Sequence, residues 1–289
     1  MPAHLTAPPA FLYEPVVRRA LLEDLGGAGD LTTDAIVPPT LQATGVVAAR
    51  RPGRVAAVML AATAFTLIDG RVRVRPAVED GTDVAAGDAL AVVEGPAPAL
   101  LSAERTALNL LSHLCGIATA TRDVVAAVVD SGARVVPTRK TTPGLRALER
   151  YAVRAGGGAD HRFGLDDAVL VKDNHLVVAG SIAEAVHRVR RRVGHLVKIE
   201  VEIDRLDHLD EVLAADVDAV LLDNLPLDLV REAVLAVEGR VLLEASGRIT
   251  LETAPAVAAT GVDLLSVGWL THSAPALDIG FDLHAVGSS

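Results

Sequence analysis

The chain reads as an α/β protein in which an amino-terminal α+β module is followed by parallel β/α units arranged as a barrel. Three observations predict this class. After about residue 114, short aliphatic runs recur at Val135-Val136, Ala168 to Val171, Val197 to Val201, Ala219 to Leu222, Val241 to Leu243 and Leu264 to Val267. Each is followed by polar residues and a helical stretch, the rhythm of parallel strands joined by helical crossovers. Most of the runs are continuously apolar, as strands covered on both faces must be. The exception, Val197-Lys198-Ile199-Glu200-Val201-Glu202, alternates apolar and charged residues. A charged stripe is easier to house inside a barrel than under a helix on an open sheet, so the barrel is favoured, with Lys198 and Glu200 expected to pair inside it.

Toward the amino end, Phe11 to Leu25 has helical spacing, and Gly45 to Val58 supplies two short strands around Arg51-Pro52-Gly53. Arg71-Val72-Arg73-Val74-Arg75 alternates as a half-exposed strand does, and Asp80-Gly81 and Ala86-Gly87-Asp88 mark turns between further β segments. This module carries no evident chemistry of its own. In the second part, Ser181-x-x-Glu184 is a capping box ahead of Ile182, Val186, Val189 and Val193 at helical spacing. Leu206, Leu209 and Leu213 form a stripe, Pro226 sits near a helix start, and Thr250 to Gly261 begins with a cap residue and ends in Gly. The expected division is residues 1–113 and 114–273, with a tail, 274–289, packing on the first domain.

Composition narrows the function. The chain has 289 residues, 51% of them apolar, and a formal charge of -10. Charge interrupts every apolar stretch before the roughly 18 residues that a membrane span needs. The start, MPAHLTAPPAFLYEP, lacks the basic residues and apolar block of a secretory signal. With Cys115 alone, an internal disulfide and a Cys-rich metal site are both excluded, which fits a reducing cytoplasm. The acidic balance argues against a nucleic-acid surface, and Arg188, Arg190, Arg191 and Arg192 read as a solvated helix face.

In a parallel barrel the active site lies at the carboxyl ends of the strands. Here those ends read Thr138-Arg139-Lys140-Thr141, Lys172-Asp173-Asn174-His175, Glu202, Asp223-Asn224, Glu244-Ala245-Ser246-Gly247, and Gly268 with Thr271-His272-Ser273. Arg139, Lys140, His161, Arg162, Lys172 and His175 form a cationic patch that would focus a multiply charged anion in an acidic protein. Each charge-assisted contact to a carboxylate contributes roughly 1.5 to 3 kcal/mol, so two arginines would select a dicarboxylate over its monoacid by about two orders of magnitude. Glu202 and Asp223 are hard oxygen donors of the kind that Mg²⁺ takes when it is shared with substrate phosphates. Ser246-Gly247 and Gly268 lead into helices with small side chains and backbone N–H groups, a cradle for a phosphate monoester. A dicarboxylate, a metal-bound diphosphate and a terminal phosphate together suggest a phosphoribosyl donor and an acidic acceptor.

"RTALNLLSHLCGIAT", "TRKTTPGLR", "YAVRAGGGADHRFGL", "VKDNH", "IEVEI", "LLDN", "EASG" and "VGWLTHS" resemble the motifs of the quinolinate phosphoribosyltransferases, and matches run in order from "LLEDLGGAGDLTT" to "ALDIGFDL". The resemblance implies an amino-terminal α/β sandwich and an incompletely closed, type II phosphoribosyltransferase-like β/α barrel, assembled at least as a homodimer. It implies transfer of phosphoribose from phosphoribosyl pyrophosphate to quinolinate with Mg²⁺, releasing pyrophosphate and CO₂ and giving nicotinate mononucleotide for NAD biosynthesis. By motif match Arg139, His161, Arg162 and Lys172 hold the two carboxylates, and Arg105 reaches them from the partner subunit. Lys140, Glu202 and Asp223 serve the ribose and Mg-pyrophosphate, and Ser246, Gly247, Gly268 and His272 take the 5'-phosphate. Two positions depart from the family pattern. Trp269 stands where a small residue is usual and, by strand alternation, is expected to face the helices, while Arg248 stands where Gly is usual.

Three other readings compete. The first is a Schiff-base aldolase with Lys172 as nucleophile, which requires a lysine of depressed pKa. The second is a paralogue of the same fold associated with molybdenum transport, and the third a phosphosugar-binding protein without catalysis.

Overall fold

The computed structural model describes residues 5–285, so the outermost parts of the expected first domain and tail, residues 1–4 and 286–289, lie outside the described residues. In chain order the elements begin with α1 (Ala10–Leu25), α2 (Leu31–Ile36), β1 (Gln42–Ala49), β2 (Gly53–Arg54), α3 (Val58–Ile68), β3 (Arg73–Pro76), β4 (Asp83–Val84) and β5 (Ala89–Pro96). The long helix α4 (Ala97–Ala127) leads to β6 (Arg134–Val136), α5 (Arg146–Ala155), β7 (Val169–Val171), α6 (Asp173–Ala179), α7 (Ile182–Arg190) and β8 (Ile199–Ile203). The chain ends with α8 (Leu209–Ala214), β9 (Ala219–Asp223), α9 (Leu227–Val237), β10 (Leu242–Ser246), α10 (Ala254–Ala258), β11 (Leu264–Ser266), α11 (Trp269–His272) and β12 (Ile279–Ala285).

These elements form two compact units. Among the described residues one comprises 5–122, 141–157 and 270–285, the other 123–140 and 158–269. The division therefore differs from two consecutive blocks split at 113/114. Residues 114–122 continue a helix already packed in the first unit, and α5 returns to that unit because Leu148, Tyr151, Ala152 and Val153 are buried in its core.

The first unit is built on a four-stranded sheet of order β12-β1-β5-β3. β1 pairs antiparallel with both β5 and β12, so the last strand of the chain completes the sheet of the first. Apolar residues of α4 at helical spacing, Leu100, Ala103, Ala107, Leu111 and Leu114, are all buried. Arg105 and Asn109 consequently fall on its exposed side. Phe281 of β12 lies 5.6 Å from Phe65 of α3, centroid to centroid. It packs directly over Gly45, where an added Cβ would fall 2.0 Å from the ring.

In the second unit six parallel strands form a sheet of order β6-β11-β10-β9-β8-β7. β6 and β7 are its two edges, so the barrel is not closed. Asp218 and Asp263 do the same job just before β9 and β11. Each carboxylate accepts a backbone N–H at the start of the neighbouring strand, Ile199 at 2.8 Å in β8 and Leu243 at 2.8 Å in β10. Asp218 also takes Lys198 Nζ at 2.5 Å, so the expected Lys198–Glu200 pair does not form. Lys198 precedes the first residue of β8 and its ammonium reaches solvent, whereas Glu200 lies within the strand. Ser181 caps α7 by accepting from Glu184 N, as the capping box requires, and Pro226 precedes the first residue of α9. The helix expected over Thr250 to Gly261 shortens to Ala254–Ala258, because Thr250 and Thr253 bond each other's backbone and hold a turn instead. Among the described residues no helix is long and apolar enough to cross a membrane.

Replacing Gly45 with Ala forces Phe281 off its seat, an overpacking cost of about 1 to 3 kcal/mol. Chemical denaturation of Gly45→Ala should show that loss, and an unchanged unfolding midpoint would place the Phe281 ring elsewhere.

Candidate active site

Parallel register dictates what the strands can offer. Residues directly opposite across a parallel pair share a face, and so do residues two apart along one strand. Leu170 lies opposite Glu200, Glu202 opposite Leu221, Leu221 opposite Glu244, and Asp223 opposite Ser246. Lys172, Glu202, Asp223 and Ser246 therefore project from one face near the carboxyl ends of four strands, with Glu200 and Glu244 on the same face closer to the amino ends. Sequence spacing alone brings none of them together.

Glu200 and Glu244 are buried, with 9% and 1% of their surface exposed. Their charge is met by His161, which comes from no strand. The segment before His161 lies against β6 through the bond from Ala159 N–H to the Val135 carbonyl. His161 Nε2 sits 3.0 Å from Glu244 Oε2 and 3.4 Å from Glu200 Oε2. Burial alone would lower the imidazole pKa, but the two carboxylates outweigh it and raise the pKa to about 9. In the other direction, burial first and the charge on Glu244 next push the Glu200 carboxyl above its usual range, with His161 opposing them.

After Arg162 the chain turns sharply, because the Asp167 carboxylate accepts the N–H groups of Phe163 and Gly164. Arg162 is partly buried, and burial followed by the positive charge of Arg139 weakens its hold on its proton. Arg139 itself has a buried Nε without a hydrogen-bond partner. Two guanidiniums close enough to repel, one with an orphaned buried N–H, are the arrangement that an anion completes. Lys140 is exposed just beyond, its N–H bonded to Thr138 Oγ1 at 3.0 Å.

Lys172 Nζ donates to Glu202 Oε2. His175 is not part of the cationic group, since its Nδ1 accepts the Lys172 N–H at 2.9 Å and so caps α6. Glu202 and Asp223 line a cavity of about 250 Å³ with Asp173, Asp204 and His208. Asp223 accepts from the Asn224 side chain at 2.8 Å, and Asn224 N–H bonds the Ser246 carbonyl at 2.9 Å, joining the acidic cavity to the glycine loop. Gly247 has φ 110°, and a Cβ there would lie 2.3 Å from Asn224 Oδ1. Trp269 does not follow strand alternation, because β11 ends at Ser266 and Trp269 opens α11, its indole Nε1 donating to the Ile249 carbonyl at 2.9 Å.

Arg139, Lys140, His161, Arg162, Lys172, Glu202, Asp223, Ser246, Gly247 and Gly268 all belong to the second unit. Arg105 and His272 belong to the first unit. Arg105 is exposed on α4 with Glu104 3.9 Å away, and His272 Nδ1 lies 2.6 Å from Ser273 Oγ. Sequence reasoning left Glu244 without a role and gave Glu200 the wrong partner. One signal was available: Glu244 is two residues before Ser246 in a run of apolar residues, which puts a carboxylate on the site's own face.

Family models fit this geometry over nearly the whole chain. The amino-terminal domain of quinolinate phosphoribosyl transferase matches residues 30–115 and its carboxyl-terminal domain residues 117–282. The chain belongs to the quinolinate phosphoribosyltransferase family. Among its relatives, a nicotinate-nucleotide pyrophosphorylase [carboxylating] of Mycobacterium leprae is 47% identical over 272 residues, covering 92% of this chain and 95% of the relative. A probable nicotinate-nucleotide pyrophosphorylase [carboxylating] of Bacillus subtilis is 45% identical, covering 91% and 90%. The crystal structure of NadC from Streptococcus pyogenes superposes with a TM-score of 0.93 at 37% identity, covering 97% of this chain and 99% of that one. The family boundary between residues 115 and 117 falls inside α4, whereas the compact units part at 122/123.

A pKa raised from 6.5 to about 9 means that the ion cluster contributes stability fully below pH 6.5 and loses it as pH rises through 9. The unfolding free energy should fall across that window by on the order of 3 kcal/mol. Glu244→Gln should flatten the fall, and the His161 imidazole should titrate near 9 by NMR. A midpoint near 6.5 would mean that the cluster does not form.

Proposed function

We propose that this family member transfers phosphoribose from phosphoribosyl pyrophosphate to the ring nitrogen of quinolinate, releasing pyrophosphate and CO₂ and forming nicotinate mononucleotide for NAD biosynthesis. The observation that carries the reading is the pair of guanidiniums of Arg139 and Arg162, close enough for one charge to act on the other, beside the orphaned buried Nε of Arg139. Quinolinate brings two adjacent carboxylates to satisfy it. His161 and Lys172 complete the clamp, and Arg105 of a partner subunit reaches the same acceptor in a homodimer. Exposure of Arg105 on α4 is what such a trans contact needs.

Glu202 and Asp223, hard carboxylates on a shared cavity with Asp173 and Asp204, fit the donor set of Mg²⁺ and would hold it. When bound, the ion neutralises charge on the diphosphate. Lys140 bonds the departing pyrophosphate, which leaves with the electron pair of the C1–O bond as the ribose carbon takes on oxocarbenium character. The quinolinate nitrogen, held in line by the Arg139, Arg162 and Lys172 contacts, forms the new N–C1 bond. As CO₂ departs, the electron pair of the broken C–C bond stays on the ring carbon beside the pyridinium nitrogen, whose positive charge stabilises that carbanion until a solvent proton adds to it. Ser246, Gly247, Gly268 and His272 hold the 5'-phosphate. The reaction belongs in the cytoplasm, where a protein with one buried thiol and no disulfide is at home.

Purified protein given phosphoribosyl pyrophosphate, Mg²⁺ and quinolinate should yield nicotinate mononucleotide and CO₂, with nicotinate a poor acceptor. Absence of product from a folded protein would overturn the reading. Arg162→Ala should raise the KM for quinolinate by roughly 10- to 100-fold, the effect of one charge-assisted contact. An unchanged KM would remove Arg162 from the clamp. Mixing inactive Arg105→Ala with inactive Lys140→Ala chains should restore activity if Arg105 acts in trans, and continued inactivity of an exchanged dimer would place Arg105 in its own subunit's site.

A further inference from the structure

We infer that Arg248 is a binding residue for the terminal phosphate of the ribosyl donor, a cation added to a cradle otherwise made of backbone and small side chains. The inference deepens the proposed function and rests on its placing that phosphate at Ser246-Gly247. Arg248 has φ 50°, in the left-handed region. L side chains rarely adopt this conformation, which glycine accepts freely.

Rotation out of the strain is blocked on both sides. Upstream, the Ser246 carbonyl is tied to Asn224 N–H at 2.9 Å and Gly247 fits against the Asn224 side chain with no room for a Cβ. Downstream, Trp269 Nε1 holds the Ile249 carbonyl at 2.9 Å, and Ile249 is buried.

The protein gives Arg248 nothing in return. Its side chain is exposed and makes no ion pair or side-chain hydrogen bond among the described residues. Arg134, Arg192 and Arg231 of the same unit are likewise exposed without a side-chain partner, but Arg248 alone among the described arginines is held at a left-handed φ. Strain held at a residue without a protein partner, inside an anion cradle, points to a ligand that supplies the partner. A phosphate monoester dianion does so through a charge-assisted contact to the guanidinium.

Arg248→Gly separates this role from a structural one, because the two move in opposite directions. Stability should hold or rise, since glycine accepts the left-handed φ. The inhibition constant of ribose 5-phosphate and the KM of phosphoribosyl pyrophosphate should both rise about tenfold, the low end expected for an exposed charge-assisted contact. Inhibition by inorganic pyrophosphate should be unchanged, because that group binds on the Glu202–Asp223 side. Arg248→Asn, which also tolerates the conformation, should repeat the loss, and Arg248→Lys should keep part of the affinity. Equal ribose 5-phosphate inhibition in wild type and Arg248→Gly overturns the inference while leaving the transferase intact. A loss confined to pyrophosphate overturns it too, by moving Arg248 to the other end of the donor. Failure of wild type to bind phosphoribosyl pyrophosphate would remove the underlying reading as well.

Discussion

An open barrel with carboxylates inside it needs a counter-charge, and His161 supplies it. Glu200 and Glu244 belong to strands two apart in the sheet, yet a single imidazole nitrogen reaches both. Two buried carboxylates without a cation would protonate or draw in water. With the imidazolium between them they become a tie that runs from the segment beside β6, at one edge of the sheet, to β8 and β10. Arg162 is the next residue along, so the interaction that neutralises the interior also sets where its guanidinium can stand.

Around this tie the charges sort by depth. Toward the amino ends, Asp218 and Asp263 bond strand N–H groups and hold register without reference to any ligand. The His161 cluster occupies the level between. Toward the carboxyl ends lie the Lys172–Glu202 ion pair, Asp223 and the glycine loop, where the protein's own groups leave cavity space and an orphaned Arg139 N–H. Acids and bases of one strand face thus change from structural to chemical within two or three residues. Asn224 and Arg248, both with left-handed φ, sit just past the ends of β9 and β10.

The long helix α4 shows how one element serves both ends of the chain. Its apolar stripe anchors the core on which β1, β5 and β12 are built, and burial of that stripe turns Arg105 outward. The exposed orientation follows from helical periodicity alone.

Period and order were legible in the sequence. Six aliphatic runs correspond to six parallel strands, and register puts Lys172, Glu202, Asp223 and Ser246 on one face near their carboxyl ends, because strand alternation is a local rule acting on local patterns. Motif similarity covered the chain from end to end, and so the family was legible as well. Tertiary structure alone decided what pairs with what. Lys198 and Glu200 share a strand face, but Lys198 meets Asp218 and Glu200 meets His161, a residue 39 positions earlier, since neither choice is visible until the strands are in register. The same holds for the return of residues 141–157 to the first unit, for His175 as a cap rather than an anion ligand, and for Trp269 as the prop of the glycine loop. Sequence determines which side chains a strand or helix can present and on which face. Which partner satisfies each buried charge is set by distances across the fold, and those exist only once the chain has closed on itself.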